Sequence, residues 1–149
     1  MKYIKLALIL SLFVSCNSDD EKDYVTLNDQ EIIDYISENK LIAEKSATGL
    51  YYVIEEEGTG SQPVSTSTVT VAYKGYYTNG TVFDESSAQG ININLQNVIP
   101  GWAEGIAYFK EGGSGKLLIP AHLGYGNSDY RGIPGGSVLI FDINLISVN

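Results

Sequence analysis

The chain is poor in several of the residues that most often direct a functional reading. Among its 149 residues are one cysteine and one histidine. A single cysteine leaves no intrachain disulfide, and a single histidine leaves His-based metal clusters and Ser/His/Asp relays without parts. Basic side chains are also few, nine against eighteen acidic, for a formal charge of −9. Phosphate neutralisation needs clustered Lys and Arg, so nucleic acid is excluded as a partner. The apolar run Ile4 to Val14 is only eleven residues long, whereas a bilayer-spanning helix needs about 20. There is no internal repeat and no long low-complexity tract. The hydrophobic fraction, 44%, is enough for one ordinary core.

The first residues read as a targeting segment. Lys2 and Lys5 form a short basic region at the start, and the largely apolar run has the length of a signal-peptide core. Leu12-Phe13-Val14-Ser15-Cys16 then ends on the sole cysteine and resembles a bacterial lipobox. Residues 1–15 are therefore expected to be removed and Cys16 lipidated, placing the protein on a membrane of the cell envelope, the outer membrane, facing the periplasm or the surface. Phe13 stands where Leu is commonest. Residues 16–26 are expected to form an acidic flexible tether, opening with Asn17-Ser18-Asp19-Asp20-Glu21. That acidic run also resembles the export tag of some surface lipoproteins.

Beyond it, residues 27–47 are predicted to be helical, with Asn28 as N-cap, Glu31 in the reciprocal position, and Ile32, Tyr35 and Ile36 on one apolar stripe. Residues 50–54 read as a strand. Val69 to Tyr77 alternates, placing Val69, Val71, Tyr73 and Tyr77 on one face. Asn79-Gly80 predicts a tight type I′ hairpin returning through residues 81–84. Trp102, Ile106 and Phe109 fall at helical spacing over 102–110, closed by Gly112 and Gly113. Lys116 to Ile119 is a short strand, residues 124–136 are a glycine-rich loop, and Ser137 to Val148 is a final alternating strand. The class is α+β with a mainly antiparallel sheet. His122, at a strand-to-loop junction, reads as a surface residue.

Standard catalytic templates are absent, and an excess of aromatics remains, eleven of them Tyr. Six fragments stand in a familiar order: Val71-Ala72-Tyr73-Lys74-Gly75, Val82-Phe83-Asp84, Val98-Ile99-Pro100-Gly101-Trp102, Leu123-Gly124-Tyr125-Gly126, Gly132-Ile133-Pro134 and Leu139-Ile140-Phe141-Asp142. Together they resemble an FKBP-type peptidyl-prolyl isomerase domain over residues 48–149.

The resemblance implies an antiparallel half-barrel wrapped around a short helix, preceded by the N-terminal helix. It implies a catalytic set of Tyr73, Phe83, Asp84, Ile99, Trp102, Tyr125 and Phe141. Trp102 is the floor of an apolar cup; Tyr73, Phe83 and Phe141 are walls; the Ile99 N–H and Tyr125 hydroxyl hold substrate carbonyls; Asp84 sits at the rim. Val98, Ile133, Ile91 and Ile93 complete the substrate-binding surface. The implied partners are proline-containing polypeptides, and no cofactor or metal is implied. Without the resemblance, an aromatic on a strand face is more often plain core. Two departures stand out: residues 91–95 offer only aliphatics where many members carry a phenylalanine, and Gly135-Gly136 replaces a stiffer pair. Both support an alternative function, a non-catalytic proline-peptide-binding or chaperone-like lipoprotein.

Overall fold

The structure, a computed structural model, describes residues 22–149. The signal segment, Cys16 and all of the tether up to residue 21 lie outside the described residues. Helix α1 spans Tyr24–Glu38, and seven strands follow: β1 (Glu44–Lys45), β2 (Tyr51–Glu56), β3 (Thr68–Tyr76), β4 (Val82–Glu85), β5 (Ile91–Asn94), β6 (Ser114–Ile119) and β7 (Leu139–Val148). Helix α2, Pro100–Ile106, lies between β5 and β6. The strands form one antiparallel sheet ordered β1-β2-β6-β7-β3-β4, with β5 also paired to β3.

Both faces of the sheet are covered, which explains why β7 carries buried residues on consecutive positions as well as alternate ones. On the concave face, Val69, Val71, Leu117, Ile119, Leu139, Phe141, Ile143 and Leu145 pack with Trp102, Ile106 and Phe109 from α2 and the turn after it. On the convex face, Tyr51, Val53, Leu118 and Ile140 meet Ile32 of α1. Helix α2 opens with Pro100 in its first turn, where the missing N–H costs nothing. It therefore begins two residues before the predicted start and ends at Ile106, with Phe109 buried just beyond.

The N-terminal helix differs from its predicted bounds at both ends. Its cap is Asp23, which accepts bonds from the Thr26 amide and hydroxyl at 3.2 and 2.6 Å, so residues 24–26 belong to the helix and not to the tether. Asn28 is not a cap: it lies inside the helix with its side chain buried. At the other end the chain leaves the helix after Glu38 rather than at 47. Lys40 takes φ 54°, with Lys40 N–H bonded to Ser37 and Leu41 N–H to Ile36. This is a Schellman stop. It usually carries glycine, and because lysine fills the left-handed position here the sequence shows no stop until Gly49.

The hairpin after β3 exists, but not as a type I′ turn. Among the 78–80 residues only Gly80 has positive φ (87°); Gly80 N–H bonds Tyr77 C=O and Tyr77 N–H bonds Thr81 C=O. That is a three-residue loop closed by a glycine bulge. The two-residue turn with both central φ positive occurs elsewhere, at Arg131 (47°) and Gly132 (87°), where Tyr130 and Ile133 exchange both backbone bonds at 2.9 Å.

Candidate active site

A cavity of about 710 Å³ opens where β3, β4, β5, β7, α2 and the 124–136 loop converge. Its lining includes Tyr73, Phe83, Asp84, Ile99, Trp102, Tyr125 and Phe141, together with Val98, Ile133, Ile91 and Ile93. Those eleven residues come from six separate segments of the chain, and the cavity is where the fold brings them together.

Phe141 on β7 is the hub of the aromatic set. Its ring meets Trp102 at 5.3 Å and 83°, Phe83 at 5.5 Å and 89°, and Tyr73 at 6.1 Å. Tyr73 and Trp102 also meet edge to face, at 4.9 Å and 83°. Edge-to-face pairs place the positive ring rim on a negative ring face, so each ring's position is set by its neighbours. Gly75 makes this possible. It is paired with Phe141 on one side and Asp84 on the other, and a Cβ there would come within 2.7 Å of Phe141 and 2.8 Å of Phe83.

A regular strand would point Phe83 and Asp84 to opposite faces. The register between β3 and β4 jumps from Gly75–Asp84 to Tyr76–Val82, leaving Phe83 as the extra residue of a bulge. Bulges re-aim side chains, and here both residues reach the cavity. Asp84 accepts a 2.7 Å bond from the Tyr73 hydroxyl. Burial, then that bond, pushes the Tyr73 phenol up to about 12, so it stays a donor at neutral pH.

Among the donors at the cavity that have no acceptor among the described residues, three stand on the predicted set. The Trp102 indole N–H is buried without a partner. The Tyr125 hydroxyl is partly exposed and unbonded, and burial and then the Asp84 charge hold its phenol above the usual range. The Ile99 amide stands just before α2, where the Ile99 carbonyl already accepts from Trp102 and Ala103 while its N–H donates to no described group. An apolar cup with unspent donors on its floor and rim is suited to a ligand that brings a hydrophobic ring and backbone carbonyls.

The cavity also contains residues that sequence reasoning did not assign: Tyr77, Asn97, Tyr130, Arg131 and Gly132. Tyr77 shared the alternating face with Tyr73, which was a usable signal. Tyr130 stacks on Tyr125 at 5.2 Å and 13°, with the Arg131 guanidinium 5.4 Å from its ring centre. Nothing in a glycine-rich loop announces that stack. Gly135 and Gly136, which stand where a stiffer pair is usual, are required by close approach. A Cβ on Gly135 would collide with the Asn127 carbonyl, and one on Gly136 with the Tyr24 ring. His122 is exposed and outside the cavity, 2.9 Å from the Thr48 carbonyl.

Comparison with known proteins gives the same picture. The FkpA isomerase of Buchnera aphidicola (from Acyrthosiphon pisum) is 44% identical over 107 residues, covering 70% of this chain and 44% of that protein. FkpA of Escherichia coli K12 is 45% identical over 105 residues, 69% of this chain and 39% of the relative. The chain thus spans under half the length of these curated relatives. Among solved structures, E. coli FkpA superimposes with a TM-score of 0.74 at 37% identity, over 84% of this chain and 61% of that one. The structure of AtFKBP13 does so at 0.65 and 31%, over 72% of this chain and 99% of its own. The model of the family described as FKBP-type peptidyl-prolyl cis-trans isomerase matches residues 59–146, and the chain belongs to that family.

Proposed function

We propose that the protein is a prolyl isomerase that binds X-Pro segments of exported polypeptides in the aromatic cavity. The observation that carries this is the pairing of an edge-to-face aromatic cup with donors that the protein leaves unspent. Rotation about a peptide bond faces a barrier of about 18–20 kcal/mol because it destroys amide resonance, and X-Pro exchange takes roughly 10–100 s. No covalent bond breaks, so no nucleophile is needed. The requirement is tighter binding of the twisted amide than of either planar form.

The proline ring is held on Trp102 between Tyr73, Phe83 and Phe141, with Val98, Ile91, Ile93 and Ile133 around it. The twisted amide has lost charge separation, so a dry cup disfavours it less than the planar forms. Tyr125 O–H and Ile99 N–H donate to the flanking carbonyls, and Asp84 keeps the Tyr73 hydroxyl turned to the rim. The test is the isomerisation rate of X-Pro peptides, with X apolar and charged. A folded protein that binds them but accelerates none is the non-catalytic peptide-binding reading.

For location, Cys16 carries a lipid after loss of residues 1–15, and the acidic segment after it acts as a spacer from an envelope membrane. In this reading the attachment is the lipid on Cys16; among the described residues no helix is long and apolar enough to cross a membrane. Retention of the protein in membrane fractions, and its release on replacing Cys16, test that part.

A further inference from the structure

Asn28 is the one buried polar or charged residue among those described, 2% exposed, and it lies on α1, on the side of the sheet away from the cavity. Its side-chain carbonyl accepts the Ala121 N–H at 2.8 Å, and its amide group donates to the Gly136 C=O at 2.9 Å. The orientation is set chemically, since a flipped amide would face N–H with NH₂ and C=O with oxygen. Ala121, in the short turn that leads into the 124–136 loop, and Gly136, at its far end, bracket the segment that carries Tyr125. Within that loop, Gly126 N–H bonds Ala121 C=O at 2.8 Å, and Gly136 N–H bonds Gly126 C=O at 2.9 Å. The four bonds close a ring that runs from Asn28 through Ala121, Gly126 and Gly136 and back to Asn28. Gly126 is the residue next to Tyr125. Tyr24, one turn earlier on α1, lies against Gly136, where φ is 75° and no Cβ fits.

From this closed circuit we propose that Asn28 is a positioning residue for the cavity: through the loop ends it fixes the backbone beside Tyr125 and so holds the Tyr125 hydroxyl where the substrate carbonyl comes. Helix α1 is then part of the site's framework and not only a lid on the convex core. The inference rests on the isomerase reading for Tyr125, but its geometry does not.

The experiment is a double-mutant cycle in the whole protein, Asn28→Ala, Tyr125→Phe and both together. It is read as kcat/KM on an X-Pro peptide and as Kd for the same peptide from Trp102 fluorescence, the chain having a single tryptophan. Asn28→Ala is expected to lower kcat/KM about fivefold, the scale of one hydrogen bond. The double variant should be no worse than Tyr125→Phe alone, because a mispositioned hydroxyl has nothing further to lose. Hydrogen exchange at the Gly126 and Gly136 amides should quicken in Asn28→Ala. Ile32→Val, which thins the same α1–sheet contact without touching the ring, should leave kcat/KM, Kd and those two amides unchanged. Additive losses, or a matching loss in Ile32→Val, overturn the positioning role and leave Asn28 a stability residue. If no peptide is isomerised at all, the isomerase reading fails, and the same cycle scored on Kd still decides for or against Asn28.

Discussion

Replacing Trp102 by leucine separates a cavity floor from an ordinary core residue. The indole is 5% exposed and makes edge-to-face contacts with Tyr73 and Phe141. Each such pair is worth about 0.5–1.5 kcal/mol, and the smaller side chain gives up roughly a further 1–2 kcal/mol of apolar burial. Against this, the unpaired indole N–H disappears, which returns about 1–3 kcal/mol of desolvation. Taken together, the net loss is about 1–2 kcal/mol, below the roughly 3–5 typical of a buried Trp cut to Ala. A domain of ordinary stability, about 5–15 kcal/mol, would remain more than about nine-tenths folded. Unfolding therefore cannot account for a large fall in rate. We expect kcat/KM on X-Pro peptides to drop about tenfold or more, since each roughly 1.4 kcal/mol of lost transition-state contact is tenfold. The melt should be followed by circular dichroism, because this variant has no tryptophan to report fluorescence. Wild-type rates in Trp102→Leu, or a fall no larger than the folded fraction explains, would refute the assignment of the floor.

Tyr125→Phe removes one hydroxyl that bonds nothing in the protein, so the melt should be unchanged while kcat/KM falls about fivefold; an unchanged rate would remove Tyr125 from the site. Burial and the Asp84 bond raise Tyr73 from 10.0 to about 12, and a phenol favoured in its neutral form contributes stability that is complete below about pH 10 and lost as pH rises toward about 12. The rate should accordingly be flat from about pH 7 to about pH 9, and a pH–rate profile falling within that span would contradict it. Cys16→Ala should abolish labelling by a fatty-acid analogue and release the protein from membranes; unchanged labelling and fractionation would end the lipoprotein reading.

Much of this protein is determined by short-range features that any reader of the chain can find. The alternation of Val69, Val71 and Tyr73, the spacing of Trp102 and Ile106, and the hydrophobic run of β7 each impose a period, and period selects the element and its buried face. The aromatic fragments are local too, but it is their resemblance to a family, and not their period, that marks them as a site and not as plain core. What no local pattern carries is the outcome of contacts made across the sheet. The bulge that turns Phe83 and Asp84 to one side depends on the register with Gly75. The end of α1 depends on Lys40 accepting a left-handed φ, and the role of Asn28 on two amide groups about a hundred residues away. Asparagine caps helices and satisfies buried backbone equally well. Which of the two it does is decided only when tertiary packing shuts water out and leaves Ala121 N–H and Gly136 C=O in need of partners.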